Sequence, residues 1–100
     1  MSKSNGEGAP TVTVVVPCYD EETTLEPTLE ELVDVLSKAS FSWQVIVVDD
    51  GSRDKSAEVA TTFGTRDARV SLVKHRHNMG SGQAIWTGIQ HAAGRYVIYV

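Results

Sequence analysis

Cysteine is almost absent from this sequence. Cys18 is the only one among 100 residues, which excludes an internal disulfide and a thiolate metal cluster and is compatible with a reducing compartment. An excess of positive charge is lacking too: nine Lys and Arg stand against 13 Asp and Glu, for a net charge of -4 at pH 7. Nucleic-acid-binding domains carry a basic stripe toward the phosphate backbone, so this balance argues against a nucleic-acid partner. No apolar run approaches the roughly 18 residues of a membrane span. Residues 1–10 lack the apolar core of a signal peptide and read as a flexible leader ahead of one domain, residues 11–100. A Walker phosphate loop is missing, and Gly80-x-Gly82 lacks the full dinucleotide-binding spacing, which sets aside a simple ATPase or GTPase.

What the sequence does have is a regular alternation of apolar runs and amphipathic stretches. Residues 11–16, Thr-Val-Thr-Val-Val-Val, form a β-branched run that ends at Pro17 and predicts a buried strand followed by a loop. Leu25, Leu29, Leu32, Val33 and Leu36 recur at helical spacing between acidic residues. Thr24 is the preferred cap of that helix, because it leaves Pro27 in the first turn, where a missing N–H is tolerated. Residues 43–48 predict a second strand, and residues 54–63 a helix that stops at Gly64. Residues 70–74 predict a third strand. Residues 80–93 predict a helix with Ala84, Ile85, Gly88, Ile89 and Ala92 on one side, Gly88 permitting close packing on the sheet. Residues 96–100 are a fourth strand. The order β-α-β-α-β-α-β implies a three-layer α/β/α fold with a mostly parallel sheet and right-handed crossovers. The last residue falls within an apolar run, which predicts truncation and an exposed sheet edge prone to self-association.

In such a sheet the ligand-binding loops follow the carboxyl ends of the strands. The three polar segments found there are residues 18–22, 49–52 and 76–82. Asp49 and Asp50 follow the second strand directly, where a carboxylate either accepts hydrogen bonds from a base or ribose or forms a polar turn into the next helix. Tyr19 either covers a face of a base or packs its own loop. Arg76 and the amides around Gly80 are positioned to approach diphosphate oxygens, or else form a solvated strand end. Cys18 reads as a small packed thiol, and the histidines of Lys74-His75-Arg76-His77 lack a geometry that would bind metal.

Three segments, Val14-Val-Val-Pro-Cys-Tyr-Asp-Glu-Glu22, Val45-Ile-Val-Val-Asp-Asp-Gly-Ser-Arg-Asp54 and Asn78-Met-Gly-x-Gly-x-Ala84, together resemble family 2 glycosyltransferases of the GT-A fold. The third segment, followed by Gly88, resembles the branch that transfers mannose or glucose to polyprenyl phosphate. The resemblance implies inverting transfer from a UDP- or GDP-linked sugar to a lipid-phosphate or glycan acceptor. By similarity Tyr19 packs near the base, Asp50 reads it, Asp49 lies beside the nucleoside, and Pro17, Asp20 and Glu21 frame the donor site. It further implies Mg²⁺ or Mn²⁺ in the full-length enzyme, held by an Asp-x-Asp motif that would follow a strand resembling residues 96–100. No catalytic residue is assigned within this stretch, whose expected part is nucleoside binding alone. The expected location is cytoplasmic, at the inner face of a membrane. Two readings compete: a nucleotidyltransferase, which would need a basic phosphate-contacting motif in the first loop, and a non-catalytic nucleotide-binding or structural module.

Overall fold

The computed structural model describes residues 8–100, so most of the expected leader lies outside the described residues. Four strands alternate with three helices: β1 (Val12–Cys18), α1 (Leu25–Ser37), β2 (Trp43–Asp49), α2 (Ser56–Arg66), β3 (Val70–Lys74), α3 (Ser81–His91) and β4 (Tyr96–Tyr99). All pairings are parallel, and the strands lie in the order β3-β2-β1-β4. After β3 the chain therefore returns across β1 to add β4 on the far side. That reversal is the topological switch point where open α/β sheets bind ligands.

Alternation along each strand divides the core into two layers. Val14, Val16, Val45 and Val47 face α1 and α2, where Leu25, Leu29, Leu36, Ala60 and Phe63 cover them. Val15, Ile46 and Val48 face the other way and meet Ala84 of α3. This second layer is thin because α3 approaches closely: a Cβ on Gly88 would come within 2.8 Å of Val15 Cγ2 and 3.1 Å of Val15 Cβ. The expected role of Gly88 is borne out. Ile89 departs from the expected buried side and is 40 % exposed, as the close approach narrows the covered face of α3. Every residue of β4 is exposed.

Several boundaries differ from the sequence reading: α3 is shorter than the expected 80–93, running Ser81–His91, and the differences at β1 and α2 have a physical reason. β1 continues through Pro17 and Cys18, pairing them with Val48 and Asp49. Proline is accommodated because the amide it lacks would point away from β2, so the pairing of β1 with β2 loses no hydrogen bond there. α2 begins at Ser56 and runs past Gly64 to Arg66. Gly64 ends nothing: a Cβ there would come within 2.9 Å of the Val70 carbonyl oxygen, so the glycine lets α2 lie against β3. At α1 the cap is Thr24, as expected, although its side chain makes no capping hydrogen bond.

Candidate functional site

The carboxyl ends of β1, β2 and β3 are held level by backbone bonds beyond the ladder. The Asp50 amide donates to the Cys18 carbonyl at 2.9 Å, and the His75 amide donates to the Asp49 carbonyl at 2.8 Å. The neighbouring carboxylates Asp49 and Asp50 then leave the end of β2 in opposite directions, as strand alternation requires.

Asp50 turns toward the α3 layer and is 4 % exposed. Its Oδ1 accepts from His75 Nδ1 at 2.8 Å and from the Met79 amide at 2.9 Å, and its Oδ2 accepts from the Gly80 amide at 3.0 Å. Burial is the largest single influence on its ionisation and opposes it. The hydrogen bonds from His75, Met79 and Gly80 together outweigh burial and hold the carboxyl below the ordinary carboxylate range. His75 is anchored in turn, with its Nε2 2.8 Å from Thr87 Oγ1 of α3. Because an ionised carboxylate only accepts, Nδ1 carries a proton. Gln83 Nε2 approaches the same Thr87 oxygen at 3.5 Å, so donation from Thr87 to Nε2 completes a chain running from Gln83 through Thr87 and His75 to Asp50.

Asp49 turns toward the α1 and α2 layer and is 1 % exposed. It accepts from the Ser52 amide at 3.2 Å, from the Ser52 hydroxyl, and from the Cys18 thiol at 3.6 Å. These contacts fold the turn after β2. Cys18 is correspondingly inert: burial, then the charge and hydrogen bond of Asp49, push its thiol up to about 12. Between these carboxylates and the next loop lies Gly51, at φ 74°. A Cβ there would fall 2.7 Å from His77 Cα and 2.5 Å from the Asn78 amide nitrogen. Only glycine lets the turn after β2 lie against the loop that delivers Met79 and Gly80 to Asp50.

The loop after β1 is tied across to the loop after β2. Asp20, at φ 51°, accepts from the Arg53 amide at 2.8 Å and pairs with the Arg53 guanidinium at 2.8 Å. Those hydrogen bonds, the side-chain ones foremost, lower its pKa. The amides of Asp20 and Glu21 donate to Ser52 Oγ at 2.9 Å and Ser56 Oγ at 2.7 Å. Ser56, fully buried, donates its own hydroxyl hydrogen bond to Asp54 Oδ1 at 2.6 Å. Asp20 and Glu21 are thus positioned through their backbones, and the Asp20 carboxylate is committed to Arg53.

Pro17, Cys18, Tyr19, Glu21, Asp50, Ser81 and Ala84 line an open cavity of about 160 Å³. Whole drug-sized ligands occupy roughly 300–1,000 Å³, so this opening suits one ring system. Tyr19 is 38 % exposed on its wall, with the Arg53 guanidinium 5.8 Å from the ring centre. Arg76 is exposed and lines a separate cavity of about 350 Å³ with Gly51, Ser52, Lys74 and His75. The structure therefore brings Pro17, Tyr19, Glu21 and Asp50 to one cavity, places Arg76 at an adjoining one, buries Asp49 in the turn after β2, and commits the partly exposed Asp20 to Arg53. The Gly80 amide is engaged by Asp50. His75, Thr87, Ser56 and Arg53 escaped the sequence reading, since each acts on a partner in another loop. Among the described residues no three His, Cys, Asp or Glu side chains come together to hold a metal ion; the Mg²⁺ or Mn²⁺ that the resemblance implies is expected on an Asp-x-Asp motif following residues 96–100, not on these.

The profile of Glycosyl transferase family 2 matches residues 13–100. A dolichyl-phosphate beta-glucosyltransferase of Trichomonas vaginalis is 38 % identical over 94 residues, covering 89 % of this chain and 29 % of that protein. The mannosyltransferase PcManGT of Pyrobaculum calidifontis, solved with GDP-Man and Mn²⁺, superposes with a TM-score of 0.64 at 27 % identity, over 86 % of this chain and 25 % of its own. TarS residues 1–349 of S. aureus, solved with UDP-GlcNAc, superposes with a TM-score of 0.68 at 26 % identity, over 90 % of this chain and 26 % of its own. The sheet and its helices are those of the GT-A fold, and the chain spans about a quarter to three-tenths of the length of these relatives.

Proposed function

Because this chain belongs to glycosyltransferase family 2, we propose that it is the nucleoside-binding part of an enzyme that transfers a sugar, with inversion, from a nucleoside diphosphate to an acceptor such as polyprenyl phosphate or a growing glycan. The observation that carries this reading is a buried, ionised and threefold-held carboxylate, Asp50, on the wall of the same cavity as the half-exposed ring of Tyr19. A flat polar ring entering there meets a π-face on one side and a fixed acceptor at its edge, which is how a base is held.

In this reading Pro17 and Glu21 bound the cavity. Asp49, Asp20 and Gly80 hold its loops in place, and Arg76 lies beside it toward the diphosphate. Displacement at the anomeric carbon, with its acceptor-side base and divalent cation, belongs to residues other than those described. The relative that uses dolichyl phosphate supports a lipid-phosphate acceptor and hence work at the cytoplasmic face of a membrane. Among the described residues no helix is long and apolar enough to cross one. The uncovered strand β4 is the surface at which copies of this chain would associate.

Calorimetric titration of the chain with UDP and GDP, with and without Mn²⁺, tests the nucleoside site. Binding is expected, with Tyr19→Ala weakening it about tenfold, the loss of one base–aromatic stack. Asp50→Ala is expected to abolish it. A folded chain that binds neither nucleotide, or binds them unchanged after Tyr19→Ala, refutes the reading.

A further inference from the structure

The charge of this chain is divided along its length. Residues 1–67 hold all 13 Asp and Glu against five Lys and Arg, a net -8, whereas residues 68–100 hold four Lys and Arg and no acidic residue, a net +4. The fold turns that division into two faces. Glu26, Glu30, Glu31 and Asp34 of α1 and Glu58 of α2 are exposed on one side of the sheet, and α3 with its flanking segments forms the other. Of the four cations in the acid-free segment, Arg69 is paired with Asp67. Lys74, Arg76 and Arg95 are exposed and, among the described residues, form no ion pair.

The helix between those cations presents apolar side chains to solvent. Ala84 and Gly88 are the buried positions of α3 that rest on the sheet. Trp86 lies two residues from each, so at about 3.6 residues per turn it points to the opposite side of the helix, and it is 52 % exposed. Ile89, one turn on, and Met79, just ahead of the helix, are exposed as well. Tryptophan, with an apolar body and a single N–H, settles at the boundary between lipid headgroups and acyl chains, and cations beside it are drawn to anionic lipid. We infer that the outer face of α3, with Arg76 in the segment before it and Arg95 in the segment after it, docks this chain on an anionic membrane surface. The inference goes beyond the proposed function by naming the surface that meets the membrane, and it rests on that reading's placement of the chain at a membrane face.

The mixture of side chains selects the occupant. A nucleic acid would supply phosphates for the cations but would press Trp86, Ile89 and Met79 against a charged backbone. A second copy meeting this one through the same face would set like charges against each other. An anionic bilayer answers both parts, its headgroups taking the cations and its acyl boundary the apolar side chains. The carboxylates exposed on α1 and α2 are repelled by the same surface, which fixes the orientation. Ser81 and Ala84 line the nucleoside cavity from the inner side of α3, so docking through Trp86 holds that cavity beside the membrane and open to a nucleotide.

Co-sedimentation with vesicles of phosphatidylcholine, with and without phosphatidylserine, tests the surface. The chain is expected to bind the phosphatidylserine vesicles about 100-fold more tightly, from three cations at about fivefold each, and to lose that preference at high salt. Lys74→Gln combined with Arg95→Gln is expected to weaken the binding about 25-fold. Brominated lipid should quench the tryptophan emission of the unaltered chain but not that of Trp86→Phe, whose remaining Trp43 is buried at the amino end of β2. Equal affinity for the two kinds of vesicle, or emission quenched as strongly in Trp86→Phe, overturns the inference. Duplex DNA bound as tightly as the vesicles would make the patch a general polyanion surface, and self-association lost in Trp86→Ser without vesicle binding would give the face to a second copy; either result overturns it too. UDP and GDP titrations without vesicles separate the two readings. Nucleotide binding with no vesicle binding leaves the nucleoside site standing and removes the docking surface alone, and vesicle binding with no nucleotide binding does the reverse.

Discussion

Replacing Gly88 by alanine sets two effects of opposite sign against each other. Alanine is favoured over glycine in a helix interior by about 1 kcal/mol, which alone would stabilise α3. The added methyl, however, would lie 2.8 Å from Val15 Cγ2 and 3.1 Å from its Cβ, and closer still to Cγ1. Val15 is fully buried in β1, between β2 and β4, and its β-branched side chain has little rotamer freedom with which to yield. Overpacking of this kind costs about 1–3 kcal/mol, so the clash offsets or outweighs the propensity gain and leaves a net loss of up to about 2 kcal/mol. For a domain of this size each kcal/mol moves the melting midpoint by about 4–8 °C. Thermal unfolding should therefore show Gly88→Ala melting lower, by up to about 16 °C. Val15→Ala removes the opposing methyls, so the double variant should be less destabilised than the two singles added together, by at least about 1 kcal/mol. The same displacement of α3 moves Thr87 away from His75, so nucleotide binding should weaken along with stability. A raised melting midpoint, or effects that add to within about 0.5 kcal/mol, would show that α3 does not rest on Val15 as described.

Acid should unfold the chain partly through Asp50. Its folded pKa is depressed, so its contribution is complete above its unfolded value near 3.8 and is lost as pH falls through the folded value. Urea midpoints measured from about pH 5 downward should decline, and Asp50→Asn should flatten that decline; an unchanged slope would refute the assignment. Cys18 should resist alkylation at mildly alkaline pH. With its thiol raised from 9.0 to about 12, the thiolate fraction is on the order of 1,000-fold below that of an unfolded chain. Iodoacetamide labelling within tenfold of the urea-unfolded rate would contradict the buried thiol and its contact with Asp49.

The seven elements were legible because each is written locally, in an apolar run or a helical period. What was not legible had two causes. One is that a residue type carries more than one meaning: Gly64 reads as a helix stop, yet it marks the point where α2 meets the Val70 carbonyl. Pro17 likewise reads as a strand stop, but its missing amide points away from β2, so the strand continues through it. The other cause is distance along the chain. Asp49 and Asp50 look equivalent in sequence, although alternation already separates them: Asp49 shares the face of Val47, toward α1 and α2, and Asp50 that of Val48, toward α3. That much the strand pattern contains. Which donors wait on each face it does not contain, because His75 lies 25 residues from Asp50 and Thr87 a further 12. Family resemblance points to Asp50 as the carboxylate that reads the base, but the number of lone pairs it has left to read with depends on partners that only the folded sheet assembles. The cradle of Asp50 is for that reason a property of the loop after β3 as much as of the aspartate, since every donor to it comes from residues 75–80.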